Sequence, residues 1–406
     1  TIGNIKRILM TEDSNSKILE EILERIELPQ NAYETARRRY EDLGEWLGRE
    51  GSSLEFNDVH VFAQGSFRLG TAIKPFHEHE EYDLDLACKI REGFSKYTHS
   101  QFDLKEAVRK ELELYRTARK IEKELDEKHR CWTIEYKDQL SFHMDVVPAL
   151  PLDEEHRSVI NESIMKLKMM DEQISNSVSE EALSITDDRN KNYEKVDAED
   201  WNISNPEGYA KWFESRMIDN EPKIVLEHAQ VDKVPTFLQK TTLQKVIQLL
   251  KRHRDSMYQN QQINECKPIS VIITTLATHA YNGEANLVKA LSHVLNNMGK
   301  YVKQTEPRIQ NPVNPKEDFA DKWSMKKYNH LQLEENFWTW LEQAKMDFKS
   351  ISNTGDSSSL STIINESFTL NMSKESLKEK LGIPLIPVIV EAKNYDIDKS
   401  NIAKPW

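Results

Sequence analysis

The stretch 61–90, VFAQGSFRLGTAIKPFHEHEEYDLDLACKI, joins two apolar segments, and the second of them begins with an Asp-Leu-Asp-Leu alternation. Side chains two residues apart in a β-strand lie on one face, so Asp83 and Asp85 project together while the two leucines point into a core. Adjacent carboxylates repel each other, and such a pair usually binds a cation or shares a proton. Ligands that are all oxygen favour Mg²⁺ or Mn²⁺. A solvent-facing strand edge is the alternative, because exposed aspartates are common.

The size and composition of the chain describe a globular protein. Its 406 residues allow two domains with substantial cores, 38% of them are hydrophobic and 30% are charged, and no apolar run is long enough to cross a bilayer. Three widely spaced cysteines predict neither a disulfide framework nor a zinc site with paired cysteines, which favours a reducing cytoplasm. A net charge of −13 argues against a broad surface that binds duplex nucleic acid by its phosphates.

The first part of the chain predicts the order α, β, β, α, β, β. Asn31 and Glu34 have the spacing of a capping box and begin an amphipathic helix. Strand-like segments follow over 59–64 and 82–90, and a charged helix runs from about Leu104 to Lys128. The segment CWTIEYKDQLSFHMDVVPALP then contains two β-rich runs around a polar turn, which indicates a hairpin. This order predicts a mixed sheet with helices packed on it.

The second part is mostly helical. We interpret residues 151–200 as polar surface excursions with one β-like run, ALSIT, and a domain boundary near Trp201. Beyond it, apolar periodicity predicts helices over 241–258, 269–282 and 335–352.

A third acidic residue interrupts an apolar strand at Asp145, within FHMDVVPAL. Three carboxylates on neighbouring strands could hold two divalent ions, which together assist an in-line displacement at phosphorus. The Gly65-Ser66 pair would complement them, because glycine lets backbone N–H groups approach a phosphate and serine adds a hydroxyl donor. Taken alone, such a pair is more often a tight turn.

These residues resemble the polymerase-beta-type nucleotidyltransferases, whose mark is a Gly-Ser turn, an Asp-x-Asp strand and a single Asp on a later strand. The resemblance narrows to the bacterial CD-NTases, relatives of cyclic GMP-AMP synthase and oligoadenylate synthase that make cyclic oligonucleotide signals in CBASS antiphage systems. It rests on the motifs QGSFRLGTAIKP, EYDLDL, FHMDVVPA, SNPEGYAKWF and LLKRHRD.

The resemblance implies roles for the acidic residues. Asp83 and Asp85 would bind two Mg²⁺ ions, with Mn²⁺ as an alternative. Asp145 would bind the ion that activates the attacking hydroxyl. These three aspartates are therefore both the expected catalytic residues and the expected metal ligands.

The resemblance also implies a set of substrate-binding residues. Ser66 would contact the terminal phosphates of the donor nucleotide, with Gln64 and Gly65 beside it. A lysine and a serine on consecutive helices of the second lobe bind the triphosphate in this family, and Lys251 and Ser270 match them.

Helical geometry supports the lysine independently of the resemblance. Lys251 flanks the apolar stripe of its helix, Arg254 lies on the stripe, and Arg252 points away. We include Arg254 among the substrate-binding residues. Both side chains could instead cover the edge of a buried helix face.

Five further residues have less specific signals. His77 and His79 form an H-x-H that could bind zinc, but without cysteine partners they are more often solvated. His143 shares a strand face with the third aspartate and could form a hydrogen bond within the site. Tyr193 and Tyr209 could stack on a base, although core packing is the commoner fate of a tyrosine.

We therefore expect a two-lobed α/β enzyme, with a nucleotidyltransferase core and N-terminal helix over 1–200 and a helical domain over 201–406 that closes the cleft. It would join NTPs, ATP and/or GTP, through a 2′- or 3′-hydroxyl and finally cyclise the product. The alternatives are a linear oligonucleotide synthase, a nucleotidyltransferase acting on RNA or protein, and an inactive nucleotide-binding scaffold.

The same resemblance sets the expected partners. Accessory CBASS proteins and an effector that responds to the cyclic product are expected. Activation by double-stranded DNA is not expected, because the chain lacks the clustered His and Cys of a zinc-binding insertion. No membrane partner is expected.

Overall fold

The computed structural model describes residues 12–76, 81–137, 141–167, 170–197, 199–217, 239–260, 263–354 and 356–380. The strands are β1 Val59–Ala63, β2 Tyr82–Ile90, β3 Asp126–Glu127, β4 Trp132–Tyr136, β5 Phe142–Pro151, β6 Leu183–Ile185, β7 Asn202–Ser204, β8 Gln310–Asn311 and β9 Asn314–Asp318. The α-helices are α1 Glu12–Ile26, α2 Gln30–Leu47, α3 Gly65–Arg68, α4 Gln101–Ala118, α5 Glu154–Leu167, α6 Glu172–Glu180, α7 Pro206–Arg216, α8 Thr242–Met257, α9 Ser270–Ala280, α10 Leu287–Asn297, α11 Leu333–Asn353, α12 Ser357–Phe368 and α13 Lys374–Lys380. Within these ranges, no helix is both long and apolar enough to span a bilayer.

The main sheet is mixed, as predicted. Its strands lie in the order β1-β2-β5-β4-β3, and β6 and β7 extend it from the end of β5. The strands β2 and β5 run parallel, whereas every other neighbouring pair in this sheet is antiparallel. The predicted strands over 59–64 and 82–90, the hairpin of β4 and β5, and the run at ALSIT are therefore confirmed; part of the hairpin turn, 138–140, lies outside the described residues.

Two predicted helix boundaries are wrong. The helix α2 begins after Pro29, whose φ of −58° already suits a helix start, and no side chain caps it. Asn31 and Glu34 therefore lie inside the helix, and the Glu34 carboxylate accepts a hydrogen bond from Gln30 instead of forming a capping box. The helix α4 ends at Ala118 rather than near residue 128, because the chain turns at Lys120 with φ +56° and leads into β3.

The interpretation of residues 151–200 as polar surface excursions is also wrong. Two helices, α5 and α6, occupy nearly half of this segment, and they bury Ile160, Ile164 and Val178 against the helical lobe. The sequence did not indicate these helices because their apolar positions are few and are separated by charged and polar residues. The predicted helices over 241–258, 269–282 and 335–352 are confirmed as α8, α9 and α11.

The hydrophobic core has two large parts. One lies between the sheet and the helices α2 and α4, and the other joins α1 and α5 to the helices from α7 onward. The N-terminal helix α1 thus packs on α8 and α10, although it precedes the sheet in the chain. A domain boundary at residue 200 stays a prediction.

A buried seam holds the two parts together. Side chains on one face of α8 donate hydrogen bonds to main-chain carbonyls of residues 69–74: Gln244 to Leu69 at 2.9 Å, Gln248 to Ala72 at 2.8 Å, Lys251 to Thr71 at 2.9 Å and Arg252 to Lys74 at 2.6 Å. The prediction that Arg252 points away is therefore wrong, because this segment covers it and leaves it 4% exposed. Since 69–74 forms no regular structure, these donors satisfy carbonyls that would otherwise be buried without partners.

A buried ion pair makes a second connection next to the seam. Arg68, at the end of α3, binds the Glu207 carboxylate through two nitrogens at 2.9 and 2.7 Å. A third nitrogen of Arg68 donates to Glu214 at 2.6 Å. The short helix α3, which begins with Gly65-Ser66, is thereby fixed to α7.

Candidate active site

The three predicted aspartates lie together on one face of the sheet. Parallel pairing places Asp85 directly opposite Asp145 and Asp83 opposite His143. The residues between them point the other way, and Leu84 and its neighbours on that face are buried in the core. The alternation read from the sequence is therefore confirmed, and the register brings the two acidic strands into line.

The electrostatics of this face are unfavourable for carboxylates without a counterion. Burial, with repulsion from Asp83 and Asp145, raises the pKa of Asp85 to about 7. Partial desolvation and repulsion from Asp145 also raise the pKa of Asp83, against attraction from His143. The Thr133 hydroxyl donates to Asp145 Oδ1 at 2.5 Å. An all-oxygen donor set with this excess of negative charge fits a hard divalent cation such as Mg²⁺.

The Gly65-Ser66 pair begins α3 immediately beside Asp85. Gly65 has a φ of +63°, and a Cβ at this position would lie 2.3 Å from Asp85 Oδ2, so only glycine fits. The backbone N–H of Gln64 donates to the Asp85 carbonyl at 2.8 Å, and its side chain donates to the Leu86 carbonyl at 3.3 Å. Both hydrogen bonds of Gln64 connect the turn to β2, and its side-chain amide is engaged by a carbonyl of that strand.

Lys251 lies on α8, close enough to Asp83 and Asp85 to be attracted by both carboxylates. It is 6% exposed, and its ammonium donates to the Thr71 carbonyl at 2.9 Å. Burial and repulsion from Arg254 lower its pKa to about 8, while attraction from Asp85 and other acids acts against this shift. A cation held so far from water gains strongly from an anion that arrives beside it.

Arg254 takes a different position from the one expected. Its guanidinium donates to the Ser270 hydroxyl and to the Pro268 carbonyl, both at 3.0 Å, and it pairs with Asp255. Ser270, the first residue of α9, lines the cleft, whereas Arg254 is buried behind it. The structure therefore brings Ser66, Lys251 and Ser270 to one cleft and places Arg254 as a support for Ser270.

This cleft has a volume of about 300 Å³. Its lining includes residues to which the sequence analysis gave no individual role: Ser204 and Asn205, which begin the SNPEGYAKWF motif, and Asn311, Glu317 and Phe319, which lie outside every quoted motif. Asn205 caps α7 by accepting from the Gly208 N–H, and the N-P-E-G pattern could have revealed that role. The hairpin of β8 and β9, which carries Asn311 and Glu317, has no comparable signal in the sequence.

Tyr193 and Tyr209, which the sequence analysis considered together, lie in different surroundings. Tyr209 lines the cleft, and its hydroxyl is hydrogen-bonded to Thr275 at 2.8 Å. Tyr193 packs edge-on against Phe102, with ring centroids 6.0 Å apart, and does not belong to the cleft lining. Tyr209 thus lines the cleft and is also packed into the helical core, with 9% of it exposed, so its contact with a base stays a prediction.

A further polar group adjoins the aspartates. His143 contacts the Glu81 carboxylate and lies 4.0 Å from Glu135 Oε1, which also pairs with Lys123. Among the described residues, Glu81, Glu135 and His143 form the group of potential metal ligands whose donor atoms all lie within 4.8 Å of one another, and the three aspartates do not meet this criterion. Sequence reasoning noted His143 but not its two acidic partners. His77 and His79 lie outside the described residues.

Comparisons with known proteins agree with this architecture. Residues 59–148 match the family described as "Cyclic GMP-AMP synthase DncV-like, nucleotidyltransferase domain". The chain is 28% identical to a c-di-GMP synthase from Roseivirga ehrenbergii, over 78% of this chain and 76% of the relative. It is 24% identical to the cyclic dinucleotide synthase CdnG from Bradyrhizobium diazoefficiens, over 77% of this chain and 70% of the relative.

Solved structures show the same fold. The B. diazoefficiens CD-NTase CdnG, in complex with GTP, superposes with a TM-score of 0.61 at 20% identity and covers 91% of this chain and 98% of its own. The E. coli CdnC:HORMA-deltaN complex gives a TM-score of 0.55 at 13% identity, with coverage of 88% and 98%. The predicted α/β fold is confirmed, and residues 59–148 match the nucleotidyltransferase domain of the predicted family. Residues 59–148 are thus a DncV-like nucleotidyltransferase domain within a chain that has the two-lobed fold of the bacterial CD-NTases.

Proposed function

We propose that this protein joins nucleoside triphosphates into a cyclic oligonucleotide and releases pyrophosphate. The observation that carries the proposal is the register of β2 and β5, which aligns Asp85 with Asp145 beside the Gly65-Ser66 turn. Similarity to a c-di-GMP synthase and to a cyclic dinucleotide synthase supports the cyclic product.

In the proposed reaction, the aspartates act as a two-metal site. Asp83 and Asp85 would hold two Mg²⁺ or Mn²⁺ ions, and Asp145 would hold the ion that activates the attacking hydroxyl. The bound ions supply Lewis-acid activation of a ribose hydroxyl and neutralise charge on the phosphate and the leaving group. Thr133, by donating to Asp145 Oδ1, orients that carboxylate.

In the same proposal, Ser66, Lys251 and Ser270, which line the cleft, bind the triphosphate of the donor nucleotide. The Ser66 hydroxyl and nearby N–H groups donate to phosphate oxygens, and Lys251 supplies a full positive charge. Arg254 orients the Ser270 hydroxyl toward the same phosphates. Lys251 and the Ser270 hydroxyl are already held by hydrogen bonds within the protein, so little ordering of these two groups remains when the nucleotide binds.

The proposed biological role rests on the resemblance to the bacterial CD-NTases. We propose that ATP and/or GTP are the substrates, that the product is a CBASS second messenger for an antiphage effector, and that accessory proteins control synthesis in the cytoplasm. Double-stranded DNA is not an activator in this proposal, since a chain with net charge −13 has no surplus of cations for a duplex.

The test is to incubate the purified protein with each NTP, and with mixtures, in Mg²⁺ without a template, followed by phosphatase and mass spectrometry. A phosphatase-resistant cyclic product is expected, because a ring has no terminal phosphomonoester. A phosphatase-sensitive ladder would instead indicate a linear synthase. Labelling of added RNA or protein would indicate a transferase, and NTP binding without turnover under all conditions would indicate a scaffold. The Asp83→Asn/Asp85→Asn protein is the control for contaminating activity.

A further inference from the structure

The cleft has a phosphate end and a base end. Ser270 and Thr274 both line it, and they are separated by one turn of α9, roughly 6 Å along the helix axis. Beside that second turn, the Tyr209 hydroxyl is bonded to Thr275, and the Tyr209 ring stands edge-on to Phe319 with centroids 6.2 Å apart. A nucleotide whose phosphates lie at Ser270 therefore extends its base toward these two rings.

A carboxylate is placed at this base end. Glu317, on β9, lines the cleft two residues before Phe319, and Asn311 donates to its Oε2 at 2.7 Å. Within the part of the chain that the structure describes, no Lys or Arg nitrogen lies within 4.0 Å of the Glu317 carboxylate. Burial raises the pKa of Glu317, against the hydrogen bond from Asn311, attraction from Arg130 and the hydrogen bond from Asn314. A half-buried carboxylate with no cation of the described residues in direct contact, which accepts one side-chain hydrogen bond from Asn311, keeps lone pairs free to accept further donors.

We propose that Glu317 accepts hydrogen bonds from the base of the bound nucleotide and thereby selects guanine. The proposal rests on the proposed function only in that the cleft holds a nucleoside triphosphate.

The selectivity follows from the edges of the bases. Guanine places two donors side by side, the ring N1–H and the exocyclic amino group, and these match the two oxygens of a carboxylate. Adenine and cytosine place a ring-nitrogen acceptor next to the amino group, and uracil places carbonyl oxygens on both sides of its N–H, so each sets an acceptor against the carboxylate. A hydrogen bond to a charged group is worth about 1.5–3 kcal/mol, which corresponds to roughly 10- to 100-fold in affinity.

The test is equilibrium binding of α,β-methylene analogues of GTP, ATP and inosine triphosphate in Mg²⁺, which allows binding without transfer at the α-phosphate. The wild-type protein is expected to bind the guanine analogue at least about 10-fold more tightly than the adenine analogue. The inosine analogue, which lacks the 2-amino group, is expected to lie between them. This comparison of ligands needs no variant.

The variant Glu317→Gln keeps the shape but turns one acceptor into a donor. It is expected to lose the guanine preference through weaker binding of the guanine analogue, with adenine affinity unchanged. The control Glu335→Gln, at an exposed position on α11 that does not line the cleft, should keep the preference. A wild-type protein without guanine preference, or an unchanged preference in Glu317→Gln, overturns the proposal. Guanine preference without any cyclic product would overturn the proposed function and leave this inference standing.

Discussion

The sheet face that adjoins the cleft at Gly65, called here the sheet wall, and the helices that line the cleft, called here the helical wall, differ in how the chain builds them; the three aspartates lie beside the cleft and not in its lining. The sheet wall carries its functional groups by local periodicity, because β2 and β5 alternate buried apolar residues with Asp83, Asp85 and Asp145. The helical wall carries Lys251 on α8, which is held by a contact with a residue 180 positions away in sequence, and Ser270 on α9, which packs against α8. The strand pattern in the sequence therefore predicts which side chains lie together on the sheet wall. The positions of Lys251 and Ser270 on the helical wall depend on the tertiary structure. The following predictions test each wall and the turn between them.

The largest effect is expected on the sheet wall. The double substitution Asp83→Asn/Asp85→Asn should reduce product formation by at least about 1,000-fold, because neutral amides cannot balance divalent ions. Circular dichroism should show an intact fold, since both changes conserve shape. Product formation near the wild-type rate, measured by mass spectrometry, would contradict the two-metal assignment.

The turn between the walls should be nearly as sensitive. Gly65→Ala adds left-handed strain of about 1–2 kcal/mol and a clash with Asp85, so we expect a loss of activity of at least about 100-fold. Gly51→Ala is the matched control, because Gly51 also has a positive φ of +78° but has nothing within 4 Å of a new Cβ. Both variants should lose stability in urea titrations, Gly65→Ala by more because of the clash, and only Gly65→Ala should lose activity. Equal activities would show that the clash does not matter.

On the helical wall, a moderate loss of nucleotide affinity is expected. Lys251→Ala should weaken binding of a non-hydrolysable NTP by about 2 kcal/mol, and Ser66→Ala by about 1 kcal/mol, because a charged donor binds phosphate more strongly than a hydroxyl. Lys245→Ala, on the same helix but paired with Glu20, is the control and should bind normally. Titration calorimetry separates these cases. Unchanged affinity in Lys251→Ala would move the phosphate contact elsewhere.

The smallest effect concerns the stability of the sheet wall without metal. The pKa of Asp85 is about 7 in the folded protein, against an ordinary value of 3.8, so the folded state binds the extra proton between these values. Its contribution to the free energy of unfolding is therefore greatest below pH 4 and is lost as the pH rises through 7.

This dependence is measurable by thermal unfolding in EDTA. The Tm of Asp85→Asn should exceed that of the wild type by a larger margin at pH 8 than at pH 5, and Mg²⁺ should reduce the margin at pH 8. The exposed Asp321→Asn serves as the control and should show no such trend. A margin that does not depend on pH would contradict the raised pKa.

Sequence reasoning succeeded where the signal is local. The period of two in β2 and β5, and the glycine before Ser66, predicted the sheet wall with its three aspartates together. It failed where the environment of a side chain comes from distant segments, as at Arg252, which is covered by residues 69–74. Asn311 and Glu317 lie on very short strands whose polar sequence resembles any surface loop, and only their position beside Tyr209 and Phe319 distinguishes them.

The seam between α8 and residues 69–74 also bears on how nucleotides enter and leave. Its four side-chain hydrogen bonds link Lys251 to the segment that follows Ser66, so parting the lobes there would cost at least roughly 4 kcal/mol. Lys251 and the segment after Ser66 are therefore expected to keep their relative positions while substrate binds and pyrophosphate leaves, so the charge that meets the triphosphate is in place before the nucleotide arrives.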